Sequence, residues 1–224
     1  MDSTFGTGGI LVTGSEAGAL ALLSNGDYLF VSGSSDVELS SSGASLSSFT
    51  VSAPVAASPF FAIQSNGDMV ETSSILPPGT SPSRGGHQPS DVNVARFTEN
   101  GTADSTFTTT TFTFEAITSA NSLDVNVNDP AFTAFNSAGQ IIVAGGVSGT
   151  GSSADAAAGL ARLNANGGLD TTFGVGGTAT SNALMNEVQA LLVESNGNIV
   201  VIAAPPSSSS EVASSIVLER FLGN

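Results

Sequence analysis

The stretch Leu160–Ala204, LARLNANGGLDTTFGVGGTATSNALMNEVQALLVESNGNIVVIAA, is the pattern on which the rest of the chain is built. It reads as a short strand (Leu160–Leu163), a polar turn that ends on Phe173, a glycine-rich passage, and two apolar runs joined at Asn196-Gly197. Copies of its parts recur three more times, and internal repetition of this kind governs the fold before any local propensity does.

Three markers carry the repeat. A phenylalanine closes a polar turn in MDSTFGTGG (Met1–Gly9), SLSSF (Ser45–Phe49), ADSTF (Ala103–Phe107) and LDTTFGVGG (Leu169–Gly177). A two-strand unit follows as ALALLSNGDYLFVSG (Ala19–Gly33), FFAIQSNGDMVE (Phe60–Glu71), AFTAFNSAGQIIVAG (Ala131–Gly145) and ALLVESNGNIVVIA (Ala190–Ala203). A short strand then precedes the next polar turn: DVELSSSG, VARFTENG, LARLNANG and, at residues 217–224, VLERFLGN. Asn25-Gly26, Asn66-Gly67 and Asn196-Gly197 predict two-residue type I′ hairpins, because both central residues of that turn need positive φ; Ala138-Gly139 is a weakened copy.

Four strands per repeat follow, as in Ile10–Thr13, Ala19–Ser24, Asp27–Ser32 and Asp36–Ser40. The third is apolar without alternation in Tyr28–Val31, Ile141–Val143 and Ile199–Ile202, and a strand of that kind is covered on both faces. Four-stranded meanders stacked face to face supply such an environment, as in a β-propeller blade. The competing β-sandwich does not call for a repeated four-strand unit. The expected fold is therefore all-β, with four repeated four-stranded antiparallel blades in a β-propeller-like arrangement. It forms one repeat domain over 1–224, divided at about 1–44, 45–101, 102–167 and 168–224.

NANGGLDTTFGVGG, the apolar strand after it, SNGNIVV and LARL together resemble the bacterial delta-60 repeat, a β-propeller-like family. The resemblance spans essentially the whole chain, good in the first and fourth repeats, partial in the third and poor in the second, where SLSSF lacks the aspartate and the glycines. It implies a scaffold and transfers no catalytic residue. Four copies suit a small ring, half a ring completed by a second chain, or a piece of a longer protein.

Composition narrows the function classes. The 224 residues contain no cysteine, which excludes disulfides, thiolate metal sites and cysteine nucleophiles. Net charge is −15 and the four cations are all arginines (Arg84, Arg96, Arg162, Arg220), so nucleic acid and anionic membrane surfaces are disfavoured partners. No apolar run reaches the roughly 20 residues of a membrane span. Met1 leads directly into the repeat without a signal-peptide pattern, which suits a mature form, a fragment or a cytosolic protein. The lysine-free, Ser/Thr-rich, acidic composition favours export, and the expected location is extracellular or periplasmic.

Length variation is confined to Thr72–Asp91, Ala116–Pro130, Gly146–Ala156 and Ala204–Val212. Strand parity places these at one end of the domain, the usual place for recognition on a rigid scaffold; unused slack is the competing reading. Asp124, Asn126, Asn128 and Asp129 put oxygen ligands at near-alternate positions, a weak calcium candidate without the sixth-position glycine and distal glutamate of a full calcium loop. The alternative there is a polar turn approaching Pro130. No other cofactor is expected. His87, the single histidine, sits in SRGGHQPS with no acid or nucleophile in register. Gly6–Gly9 and Gly174–Gly177 are turn chemistry, since no lysine or helix follows them.

Comparison of the repeats isolates one more set. Arg96 lies eight residues before Asp104, and Arg162 eight before Asp170, whereas the first repeat has Glu38 and Leu46 at these places. Losing one partner of a pair strands a charge at a cost of roughly 1–3 kcal/mol, so joint replacement marks a contact. These arginines are expected to bridge each polar turn to its carboxylate, with Arg220 reaching Asp2 of the same chain in a closed ring or of another copy in an open one. The expected function is a non-catalytic scaffold or protein-binding component of an extracellular or periplasmic assembly, with a protein partner or self-assembly through the loop-bearing end. The alternative is a polysaccharide hydrolase or lyase using carboxylates, with or without calcium. The absence of tryptophan and the single tyrosine, Tyr28, weigh against a sugar platform.

Overall fold

The computed structural model describes residues 1–12, 19–23, 25–32, 35–49, 57–75, 91–114, 125–149, 156–181, 187–204 and 216–223. None of these is helical, and fifteen strands form four antiparallel sheets. The first sheet contains β1 (Ala19–Leu22), β2 (Tyr28–Ser32), β3 (Ser35–Leu39) and β4 (Ser45–Phe49), in chain order. The second contains β5 (Ala57–Ile63), β6 (Met69–Ile75), β7 (Asp91–Phe97) and β8 (Thr110–Phe112), and the third β9 (Val125–Phe135), β10 (Ile141–Gly149), β11 (Ala156–Leu163) and β12 (Thr178–Thr180). The fourth has three described strands, β13 (Glu187–Val193), β14 (Ile199–Ala204) and β15 (Val217–Phe221).

The hairpins sit at the expected Asn-Gly and Ala-Gly positions but in a different turn. At the second, the Gly67 amide donates to Gln64 O (2.9 Å) and the Gln64 amide to Asp68 O (2.8 Å), so three residues cross the gap. Gly67 carries the positive φ (+90°), as Gly26 does in the first hairpin (+88°). This is a type I turn closed by a left-handed glycine bulge rather than the two-residue type I′ turn. The asparagine side chain has another role: Asn25 Oδ1 accepts from the Asp27 amide (2.9 Å) and ties the turn to the outgoing strand. In the weakened copy Asn136 supplies this service, accepting from the Ala138 and Gln140 amides at 3.0 Å.

The strand phase also differs from the sequence reading. Ile10 forms only an isolated bridge with Thr7 and Ile10–Val12 is no part of the first sheet, while Thr13 lies outside the described residues. In the second and third sheets the fourth strand follows the polar turn, because the shortest return from that turn is onto the strand that entered it, as in Gly159↔Thr180 and Ala161↔Thr178. SLSSF is strand β4 and not a turn. It has no aspartate to receive the turn amides, which Asp104 does for Thr106 at 2.8 Å, and no glycine follows it.

The sheets pack face to face through three apolar cores. Leu29 and Leu23 meet Met69, Ala95 and Phe97 between the first and second sheets. Val70, Val92, Val94, Phe112 and Phe114 meet Ile141, Val143 and Leu163 between the second and third. Ile142, Ala144 and Leu160 meet Ile199, Val201 and Ala203 between the third and fourth. No described cluster joins the fourth sheet to the first. Coverage follows from this order: Ile141–Ala144 in β10 are buried on both faces, whereas β14 alternates from Ile199 to Ala204 between buried and half-buried.

Of the length-variable segments, residues 76–90, 115–124, 150–155 and 205–215 lie outside the described residues, and His87 and Arg84 with them. Their flanks are strand where loop was expected: Thr72–Ile75, Val125–Pro130 and Gly146–Gly149 belong to β6, β9 and β10. The strand ends from which these connections depart lie opposite the tight hairpins of their sheets, by antiparallel parity.

Candidate functional site: the Arg–Asp–Phe junctions

Two polar turns, one after β7 and one after β11, share a single construction. The Asp104 amide donates to Arg96 O (2.9 Å) and the Asp170 amide to Arg162 O (2.8 Å), which sets each aspartate beside its arginine. The aspartate then receives its own turn. Asp104 Oδ1 accepts from the Thr106 amide (2.8 Å) and hydroxyl (2.7 Å), and Asp170 Oδ1 from those of Thr172 (3.1 and 2.6 Å). This leaves Oδ2 for the guanidinium. Arg96 Nε and Nη2 both lie 2.7 Å from Asp104 Oδ2, and Arg162 Nε lies 2.8 Å from Asp170 Oδ2. Gln140 Nε2 also donates to Asp170 Oδ2 at 2.7 Å. Each guanidinium lies over the phenylalanine that closes its turn, Phe107 at 4.8 Å and Phe173 at 4.9 Å, a cation–π contact.

The arginines also reach forward. Arg96 Nη1 donates to Ala165 O (2.9 Å), in the turn that follows β11 in the third sheet. Arg162 Nη1 donates to Gly223 O, three residues past Arg220 as Ala165 is three past Arg162. The Thr108 amide, just after Phe107, donates to Asn166 O (2.7 Å) in that same turn of the third sheet. The group thus couples the end of one sheet to the turn of the next. Arg162 and Asp170 are 5% and 7% exposed, so the pair is kept from solvent.

The electrostatics follow from the contacts. The Thr106 hydroxyl, then its amide, hold the Asp104 carboxyl below the ordinary carboxylate range, with Arg96 adding to this and burial opposing it. At Asp170 the Thr172 hydroxyl is foremost; burial opposes it, and the Thr172 amide, Arg162 and Gln140 reinforce it. A lowered native value means that these groups stabilise the fold fully above the unfolded carboxylate value, about 3.9, and lose that contribution as pH falls through their native values. Asp91 is raised by burial alone, so it opposes folding as pH rises through its ordinary range. Acid titration followed by circular dichroism is therefore expected to show a loss of structure below about pH 4 that is shallower in Asp170→Asn than in the unaltered chain.

The remaining candidates are placed as follows. Arg220 lies 4.0 Å from Glu194 and, among the described residues, makes no ion pair with Asp2, so the same-chain closing contact is absent. Asp2 nevertheless has its turn formed: Oδ1 accepts from the Thr4 amide (2.9 Å) and hydroxyl (2.6 Å), which lowers its pKa. Glu38 stands in β3, and Leu46, in β4, is exposed. Asn126, Asn128 and Asp129 stand on β9, with Asn126 opposite Ser148 and Asn128 opposite Gly146, so an extended, laddered strand replaces the expected turn. Asp124 and the side chains of 125–131 lie outside the described residues.

Several residues of the junctions escaped the sequence reading. Thr106, Thr172 and Gln140 act on the aspartates, and the D-S/T-T-F pattern was the signal for the threonines. Glu71 is fully buried in β6, and the hairpin register places it where β10 and β14 carry Val143 and Val201.

A family model described as a domain of unknown function (DUF5122) beta-propeller matches residues 86–107 and 139–173. No curated protein matches the chain. A solved structure of a protein of unknown function from Bacteroides caccae is 15% identical, with a TM-score of 0.40, over 87% of this chain and 73% of that one. The two segments matched by the family model contain Arg96, Asp104 and Phe107, and Arg162, Asp170 and Phe173, so the chain is similar to a β-propeller family across both of its junctions.

Proposed function

We propose that the protein is a non-catalytic, β-propeller-like scaffold of four blades that presents its length-variable connections to a protein partner in an extracellular or periplasmic assembly. The observation that supports this is the use made of its two Arg–Asp ion pairs, one buried and one part-buried. Arg96–Asp104 and Arg162–Asp170 are saturated by threonine, glutamine, main chain and phenylalanine, and they tie the second sheet to the third and the third to the fourth. A carboxylate held below its ordinary pKa and already bonded on both oxygens is poorly suited to general acid or base work at neutral pH. Its role is mechanical. A chain of neighbour-coupled sheets is a rigid support, and rigid supports carry recognition in the segments that vary in length.

The test replaces residues 76–90 and 205–215 by short Gly-Ser linkers. The circular dichroism spectrum and urea midpoint are expected to stay close to those of the unaltered chain, while co-purification of native partners is lost. Release of reducing ends from polysaccharides by the unaltered chain, abolished in the replaced one, would instead establish the carboxylate hydrolase or lyase.

A further inference from the structure

The residues before the first sheet fold as if they belonged to a preceding one. Gly9 N donates to Phe5 O (2.9 Å) and Thr7 N to Ile10 O (2.8 Å), as Gly177 N does to Phe173 O (2.9 Å) and Val175 N to Thr178 O (2.7 Å). The unit is seated on the first sheet as Phe107 is seated on the third. Gly6 N donates to Ser42 O (2.8 Å) where Thr108 N donates to Asn166 O (2.7 Å). The Phe5 ring lies against Gly43 and meets Tyr28 edge-on at 5.8 Å, while the Phe107 ring lies against Gly167. Among the described residues no arginine-bearing strand lies beside this turn, where the third sheet supplies Arg162, whose amide donates to Gly177 O (2.9 Å). β15 carries Arg220 in the register of Arg162 and, among the described residues, has no strand on its far side.

The outer faces agree. On the fourth sheet Leu192 is paired with Val200 and Leu218 with Ile202, and Leu192 and Leu218 are 60% and 58% exposed. On the first sheet Leu20 pairs with Phe30 and Leu22 with Tyr28; Leu20 is 65% and Leu22 66% exposed. A cleft of about 540 Å³ opens over that sheet between Phe5, Leu11, Tyr28, Phe30 and Leu39. Within the chain, the face bearing Ile142 packs on the face bearing Ile199, and by register those are the faces that Val200 of the fourth sheet and Tyr28 of the first leave open. Among the described residues both faces are exposed, and by register they complement each other as the packed faces of the third and fourth sheets do.

Resting on the stacking of the proposed scaffold and not on its loops, we propose that a second copy of this chain covers the fourth sheet head to tail. Its first sheet and N-terminal turn dock on the Leu192–Leu218 face. Its Ile10–Val12 adds the fourth strand beside β15, and its Asp2 takes Arg220. The contact is heterologous, so two copies close a ring if the rotation allows and otherwise continue as a filament. The occupant is specified by register: Leu160 faces Ala179 in the third sheet, which sets Leu218 opposite Leu11 of the second copy.

The test uses the natural absence of cysteine. Chains carrying Leu11→Cys and Leu218→Cys are mixed and oxidised, and the expected result is a two-chain cross-link between unlike variants and none between like ones. Light scattering of the unaltered chain is expected to give twice the mass of one chain or a higher multiple. Asp2→Arg and Arg220→Asp are each expected to weaken association at least tenfold, and an equimolar mixture to regain it, because every junction then pairs opposite charges. A single-chain mass, or a cross-link formed within one chain in the double-cysteine variant, overturns the inference. Arg162→Ala separates this from the stacking itself: if stacking is wrong, that variant is as stable as the unaltered chain, whereas a failure of assembly alone leaves its destabilisation intact.

Discussion

Arg162→Ala is expected to destabilise the protein by about 3–5 kcal/mol, the usual cost of removing one partner of a buried ion pair. Equilibrium urea unfolding measures it. The loss has three sources, all on one side chain. Asp170 keeps its carboxylate in a site 7% exposed with only Thr172 and Gln140 as donors, Phe173 loses the guanidinium over its ring, and Gly223 O loses a donor from the neighbouring sheet. The last of these shapes the transition as well as the midpoint. Repeats held together by nearest-neighbour contacts lose cooperativity when one junction is cut, so the fourth sheet is expected to melt before the other three. A companion Asp170→Ala variant and the double variant complete a cycle; the double is expected to cost less than the sum of the singles, since neither leaves a stranded charge. A midpoint unchanged in Arg162→Ala would show that the junction contributes nothing to stability.

Gly167→Ala is expected to cost about 2–5 kcal/mol, against about 1–2 kcal/mol for Gly26→Ala. The two glycines close separate turns with the same hydrogen-bond spacing and nearly equal φ, +93° and +88°, so the left-handed conformation taxes alanine alike at both. Their neighbours differ. An added Cβ at Gly26 meets nothing within 4 Å, whereas at Gly167 it meets Thr108 O and the Phe107 ring, the two groups that seat the preceding turn on the third sheet. The difference between the variants therefore measures that seating, apart from backbone conformation. Equal losses in thermal unfolding would mean that the preceding turn moves aside freely and that the junction is soft.

Much of this was legible in the residues. Strand positions followed from apolar runs broken at Asn-Gly, because a reversal there needs a residue that tolerates positive φ. The Arg96–Asp104 and Arg162–Asp170 pairs were visible as a covarying spacing, since the polar turn between them holds its ends at a constant distance. What the sequence could not reveal was the phase of the repeat. Ile10–Thr13 reads as the stronger strand and Ser45–Phe49 as a polar turn, yet Ser45–Phe49 is the one that joins the first sheet, because only pairing across the turn decides which segment completes a sheet. The type I turn with a glycine bulge was likewise hidden, because Asn-Gly satisfies either geometry and the strand register selects between them. Forward reach is the clearest case: no spacing announces that Arg162 donates to Gly223 O, 61 residues away, because that contact exists only once two sheets have stacked. The chain order determines which faces are apolar, and the tertiary structure alone decides which of them are left open, since coverage depends on a neighbouring sheet being there to stack.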